Sequence, residues 1–129
     1  MRYLLDVNAL LAGALARHPQ HADAFAWLEG KSVALCPISE LGFLRIGTNK
    51  KAINLTMEDA RAALSKFSSE RNAVRIPDDL PPLDSKPSKS EDVTDFYLAD
   101  LAAKHSLKLA SFDTGIKHPA MVIIPKHTR

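Results

Sequence analysis

The chain has 129 residues, enough for one domain with a real core. It is 46% hydrophobic and 25% charged with a net charge of +2, an ordinary balance for a soluble globular protein. The single cysteine, Cys36, excludes an internal disulfide, and no apolar run is long enough to span a membrane. A sequence pI of about 8.8 permits a nucleic-acid partner without demonstrating one. Cys36 lies in the apolar run Val33-Ala34-Leu35-Cys36 and reads as a small buried hydrophobe in a reducing cytosol. The N-terminal stretch lacks the charged-then-apolar layout of a signal peptide, so the expected location is the cytoplasm.

In chain order, Tyr3 to Leu5 reads as a short buried strand that ends in the carboxylate of Asp6. Ala9 to Ala16 follows as a helix, with Asn8 the expected N-cap. An acid that terminates an apolar strand is poorly explained by capping, which sets Asp6 apart. Pro19 breaks the next connection. A second helix is expected over residues 20–29, with Ala22, Phe25, Ala26 and Leu28 or Trp27 turned inward and Gly30 as its C-terminal cap. Residues 31–36 form the second strand, stopped by Pro37. Ser39-Glu40 opens a helix through Leu41, Phe43, Leu44 and Ile46 to Gly47. Thr56 is the N-cap of a further helix that runs to Ser68 or Ser69, with Asp59 at N3.

Residues 73–76 form a third short strand. Residues 77–90, with Pro77, Pro81, Pro82 and Pro87, form an exposed loop inside the same domain. Residues 91–105 are a strong helix with Val93, Phe96, Tyr97, Leu98, Leu101 and Ala102 on its apolar face. Residues 107–111 and 121–124 are the fourth and fifth strands, and the tail 126–129 is expected to fray. Strands alternating with helices predict an α/β domain, residues 1–129, with a parallel sheet covered on both faces.

In such a sheet, strand ends and the helix starts that follow them share one edge. Asp6 ends the first strand, Glu40 opens the helix after the second, and Asp113 follows the fourth by two residues. Asp95, early in the long helix, reaches that edge provided that the 77–90 loop crosses to deliver it. Four ionised carboxylates gathered there would repel one another unless a cation or protons held them. An oxygen-only donor set with no nearby Cys or His favours Mg²⁺ or Mn²⁺, the hard cations of phosphodiester hydrolysis. Glu91, Asp92 and Asp59 read as helix-dipole partners only.

Four stretches together resemble the motifs of PIN-domain ribonucleases, and more closely those of the VapC toxins of bacterial toxin–antitoxin pairs. They are Leu5-Asp6-Val7-Asn8-Ala9-Leu10, Ser39-Glu40-Leu41-Gly42-Phe43-Leu44-Arg45, Val93 to Ala102 around Asp95, and Ser111-Phe112-Asp113-Thr114-Gly115-Ile116. The resemblance covers nearly the whole chain in order. It implies a three-layer α/β/α sandwich with a central, mainly parallel sheet of four to five strands. It also implies Mg²⁺- or Mn²⁺-dependent endoribonuclease activity, a homodimer, and a cognate antitoxin that blocks the site. The metal-binding, catalytic acids carry over as Asp6, Glu40, Asp95 and Asp113, with Asn8 and Ser111 as supporting polar positions. The loop 84–90 matches the pattern least.

Other readings are weighed against this one. The two histidines of His18-Pro19-Gln20-His21 have no second pair at zinc spacing. Arg45, Lys50 and Lys51 form either a solvated face or a rim that contacts substrate phosphates. Phe25 and Trp27 belong to core or interface rather than to a base-stacking platform. A phosphotransfer receiver would carry its acceptor Asp after the third strand, and a haloacid-dehalogenase phosphatase would carry Asp where Asn8 stands. A non-catalytic RNA- or antitoxin-binding module, and a DNA nuclease with the same acids, are the remaining alternatives.

Overall fold

The computed structural model describes residues 1–126. The frayed tail expected at 126–129 therefore lies almost wholly outside the described residues. The elements are β1 (Arg2–Leu5), α1 (Val7–Ala14), α2 (His21–Leu28), β2 (Ser32–Leu35), α3 (Pro37–Thr48), α4 (Met57–Glu70), β3 (Val74–Arg75), α5 (Val93–Lys104), β4 (Lys108–Ser111) and β5 (Met121–Ile123). Among the described residues the strands form one five-stranded sheet in the order β3-β2-β1-β4-β5. Every pairing is parallel, with Leu4 opposite Ala34 on one side and Leu109 on the other.

Both faces of the sheet are buried because neighbouring strand residues point to opposite sides. Leu5, Val33, Leu35 and Ala110 join α1, α2, α3 and α4 in one core. Leu4, Ala34, Cys36 and Leu109 join Tyr97, Leu98, Leu101 and Ala102 of α5 in the other. The result is the three-layer α/β/α arrangement. Gly42 lets α3 approach α1 closely, since a Cβ there would meet Val7 Cγ2 at 2.4 Å. Thr56 caps α4 by accepting the Asp59 N–H at 3.0 Å, and Gly30 turns the chain with φ +74°.

The face of α2 differs from expectation. Ala24 and Leu28 point inward, whereas Ala22, Phe25 and Ala26 are exposed and Trp27 is half-buried against Tyr3. An eight-residue helix rich in apolar residues offers two faces at helical spacing, and the contact with α1 chooses between them. The long loop behaves differently too. β3 already ends at the edge where α5 begins, so the right-handed β3-α5-β4 crossover puts the start of α5 there and no crossing of the sheet is required. Two short 3₁₀ turns, Pro82–Asp84 and Ser90–Asp92, punctuate this loop.

Candidate active site

The strand order reverses between β1 and β4, which opens a crevice at their C-terminal ends. Asp6 leaves β1 there, and Ser111 and Asp113 leave β4 beside it. Asp6 is itself the N-cap of α1. Its backbone is extended at φ −74° and ψ 175°, its carbonyl accepts the Leu10 N–H at 2.9 Å, and its Oδ1 accepts the Ala9 N–H at 2.7 Å. The expected cap, Asn8, instead sits exposed in the first turn. The acid at the strand end thus does cap a helix, contrary to the sequence reading, but it does so at 1% exposure.

Capping alone does not account for its electrostatics. Burial pushes the Asp6 carboxyl from an ordinary 3.8 up to about 7, and the charges of Asp95 and Asp113 push the same way. Hydrogen bonds from the Ser111 hydroxyl and the Ala9 N–H oppose the rise without cancelling it. Asp95, in the first turn of α5, is also raised, first by burial and then by the charges of Asp113 and Asp92. Asp113 is exposed, and its Oδ1 accepts the Gly115 N–H at 2.7 Å. Its own N–H donates to Ser111 Oγ at 3.0 Å, and the same hydroxyl lies close enough to Asp6 to lower its pKa.

Glu40 stands apart from these three. Arg75 grips its carboxylate in a forked pair, Nε to Oε1 at 3.0 Å and Nη2 to Oε2 at 3.3 Å. Both residues line a polar groove of about 590 Å³ with Arg61, Ser65, Ser69 and Asn72. The charges that Asp6 feels most are those of Asp95 and Asp113. Arg45 is exposed on the last turn of α3. Lys50 and Lys51 lie beyond that end, in an exposed turn.

Two positions were not singled out from the sequence. The Ser39 hydroxyl is buried and donates to the Leu5 carbonyl at 2.7 Å, which pins the start of α3 to the end of β1. Its position immediately before Glu40 was the available signal. Arg75 carried no signal beyond its charge near a strand end.

A hard divalent cation suits this set of donors. All of them are carboxylate or hydroxyl oxygens, and two of the carboxyls are held above their ordinary range. Among the described residues no three acidic, histidine or cysteine side chains close into a coordination shell. Mg²⁺ keeps several waters and takes one or two carboxylates directly, so an open set of this kind accommodates it.

The family model for the PIN domain matches residues 3–121. Ribonuclease VapC38 of Mycobacterium tuberculosis (strain ATCC 25618 / H37Rv) is 33% identical over 121 residues, covering 88% of this chain and 86% of its own. Ribonuclease VapC39 of the same species is 32% identical, covering 93% of this chain and 94% of its own. Among solved structures, the fold resembles a chain of VapBC2 from Rickettsia felis, bound to a promoter DNA fragment, with TM-score 0.59, 15% identity, and 89% and 90% of the two chains covered. It also resembles a chain of FitAcB from Neisseria gonorrhoeae, with TM-score 0.55, 24% identity and 89% of each chain covered. The chain belongs to the PIN-domain family and, within it, to the VapC-type ribonucleases. Among the described residues no helix is long and apolar enough to cross a membrane.

Proposed function

We infer that this protein is the toxin of a toxin–antitoxin pair, an endoribonuclease whose reaction depends on Mg²⁺ or Mn²⁺. The observation that carries the reading is the buried Asp6 carboxyl, held at about 7 beside Asp95 and Asp113 at the crevice between β1 and β4. A module that only bound RNA or an antitoxin would gain nothing from a carboxyl so costly to ionise. The ribonuclease names of relatives that span nearly the same length support RNA as the substrate.

One or two of Asp6, Asp95 and Asp113 would hold the cation directly and the rest through its water ligands, with Glu40 available once it leaves Arg75. A bound Mg²⁺ or Mn²⁺ would lower the pKa of a water ligand and offset charge on the reacting phosphate. The chain's own residues prepare that site. The Ala9 N–H orients the Asp6 carboxyl, Ser111 and the Gly115 N–H fix the Asp113 turn, and Ser39 fixes the helix that carries Glu40.

A cognate antitoxin covers this edge in the inactive pair, and two copies of the chain form a dimer. The exposed ring of Phe25, 58% accessible on α2, is an apolar contribution to such a contact. Incubating the purified protein with RNA and with DNA, in EDTA and then with Mg²⁺ or Mn²⁺, tests the reading. Cleavage of RNA that requires the cation is expected. Cleavage of DNA alone would assign a different substrate.

A further inference from the structure

A second cavity, of about 530 Å³, opens between the 77–92 loop and α5. Its size falls within the roughly 300–1,000 Å³ of small-molecule sites. Ile38, Leu80, Val93 and Tyr97 give it largely apolar walls. It shares two helix starts with the carboxylate edge, since Thr94 in its wall directly precedes Asp95 on α5 and Ile38 lies on the first turn of α3 two residues ahead of Glu40. The loop is tied down, because the Tyr97 hydroxyl donates to the Leu80 carbonyl at 2.7 Å and Asp79 pairs with His105 at 2.8 Å. The cavity is therefore preformed.

One polar group in its lining is buried without a partner, and a second, the exposed Asp78, has no protein partner among the described residues. Ser85 Oγ is the one buried side-chain oxygen or nitrogen without a hydrogen bond among the described residues. An orphaned buried hydroxyl is costly unless a ligand completes it. Asp78 contrasts with its neighbour Asp79. Its charge acts on Tyr97 and Cys36, but no hydrogen bond or ion pair engages it among the described residues. An apolar slot with an acceptor carboxylate and a free hydroxyl, beside a phosphodiester-cleaving site, matches an unstacked nucleobase. Single-stranded RNA is read in this way, by enclosing the base and bonding its edge.

We propose that the cavity lined by Asp78, Ser85, Val93 and Tyr97 binds one nucleobase of the RNA substrate next to the cleaved phosphate. This rests on the nuclease reading above. Guanine fits best, because its Watson–Crick edge offers adjacent N–H donors to the Asp78 carboxylate. Ser85 would then bond a further edge atom.

The test uses short labelled RNA oligomers with and without a single guanosine. Binding is read by fluorescence anisotropy in EDTA, so that no strand is cut. The guanosine oligomer should bind the wild type roughly tenfold or more tightly, the usual worth of a good paired base contact. Asp78→Asn, on the exposed loop, should abolish that preference. Ser85→Ala should weaken binding without lowering the melting temperature, since it deletes a group with no partner in the free protein. Equal binding of both oligomers, or a preference that survives Asp78→Asn, would overturn the proposal. So would an unchanged preference in Ser85→Ala accompanied by a lower melting temperature. The two readings fail separately. Guanosine preference without cleavage in Mg²⁺ would sink the nuclease, and cleavage without base preference would sink the pocket alone.

Discussion

Replacing Asp6 by asparagine should make the metal-free protein more stable, and increasingly so as pH rises. The folded-state carboxyl titrates at about 7 instead of 3.8. Below pH 4 the aspartate is protonated in both the folded and the unfolded chain. Between about pH 4 and 7 the unfolded chain has lost this proton and the folded chain keeps it, so wild-type stability falls as pH rises. At about 1.36 kcal/mol per unit, the loss between pH 5 and pH 8 is on the order of 3 kcal/mol. The introduced asparagine would still accept the Ala9 N–H, because asparagine caps helices as well as aspartate does. The mutant therefore keeps the cap and lacks the buried charge. Groups away from the site cancel in the difference, and the coupling of Asp6 to Asp95 and Asp113 is part of what the difference measures. Thermal melts in EDTA read it directly. At roughly 4 °C per kcal/mol for a chain of this size, the mutant should gain about 10 °C on the wild type between pH 5 and 8. A melting difference that does not change with pH, or a mutant that melts lower at pH 8, would refute the reasoning and leave Asp6 as an ordinary cap.

Asp95→Asn should act in the same direction with a smaller effect, about 1 kcal/mol of stabilisation in EDTA at pH 8. Millimolar Mg²⁺ should then raise the melting temperature of the wild type more than that of the mutant; a lower-melting mutant with an equal Mg²⁺ response would make Asp95 a helix-start acid only. Gly42→Ala places a methyl 2.4 Å from Val7 Cγ2, so chemical denaturation should show a loss of about 1–3 kcal/mol. Phe25→Ser should shift the protein from dimer to monomer in light scattering at micromolar concentration, and a wild-type monomer under those conditions would remove the dimer from the account.

The layers were legible because β1, β2, β4 and β5 each carry an apolar run and the helices between them are long enough to recognise. Asp6 was legible as the odd polar residue at the end of such a run. Its capping role was not, since Asp6 and Asn8 are both good caps and only the backbone angles choose between them. The exposure of Phe25 could not be read from the sequence of α2, because both of its faces carry apolar residues and the partner helix decides. The hold of Arg75 on Glu40 spans 35 positions and arises only because β3 pairs alongside β2. The orphaned hydroxyl of Ser85 depends on the loop's three-dimensional path, which a run of prolines and polar residues does not specify.

Cleavage of a labelled RNA by purified wild type and Asp6→Asn, each in EDTA and in Mg²⁺ or Mn²⁺, tests the central claim most directly. The account predicts cleavage by the wild type only when the cation is present. It predicts none by a mutant that remains folded and melts at least as high in EDTA. Cleavage at the wild-type rate by Asp6→Asn, or cleavage that survives thorough chelation, would contradict it.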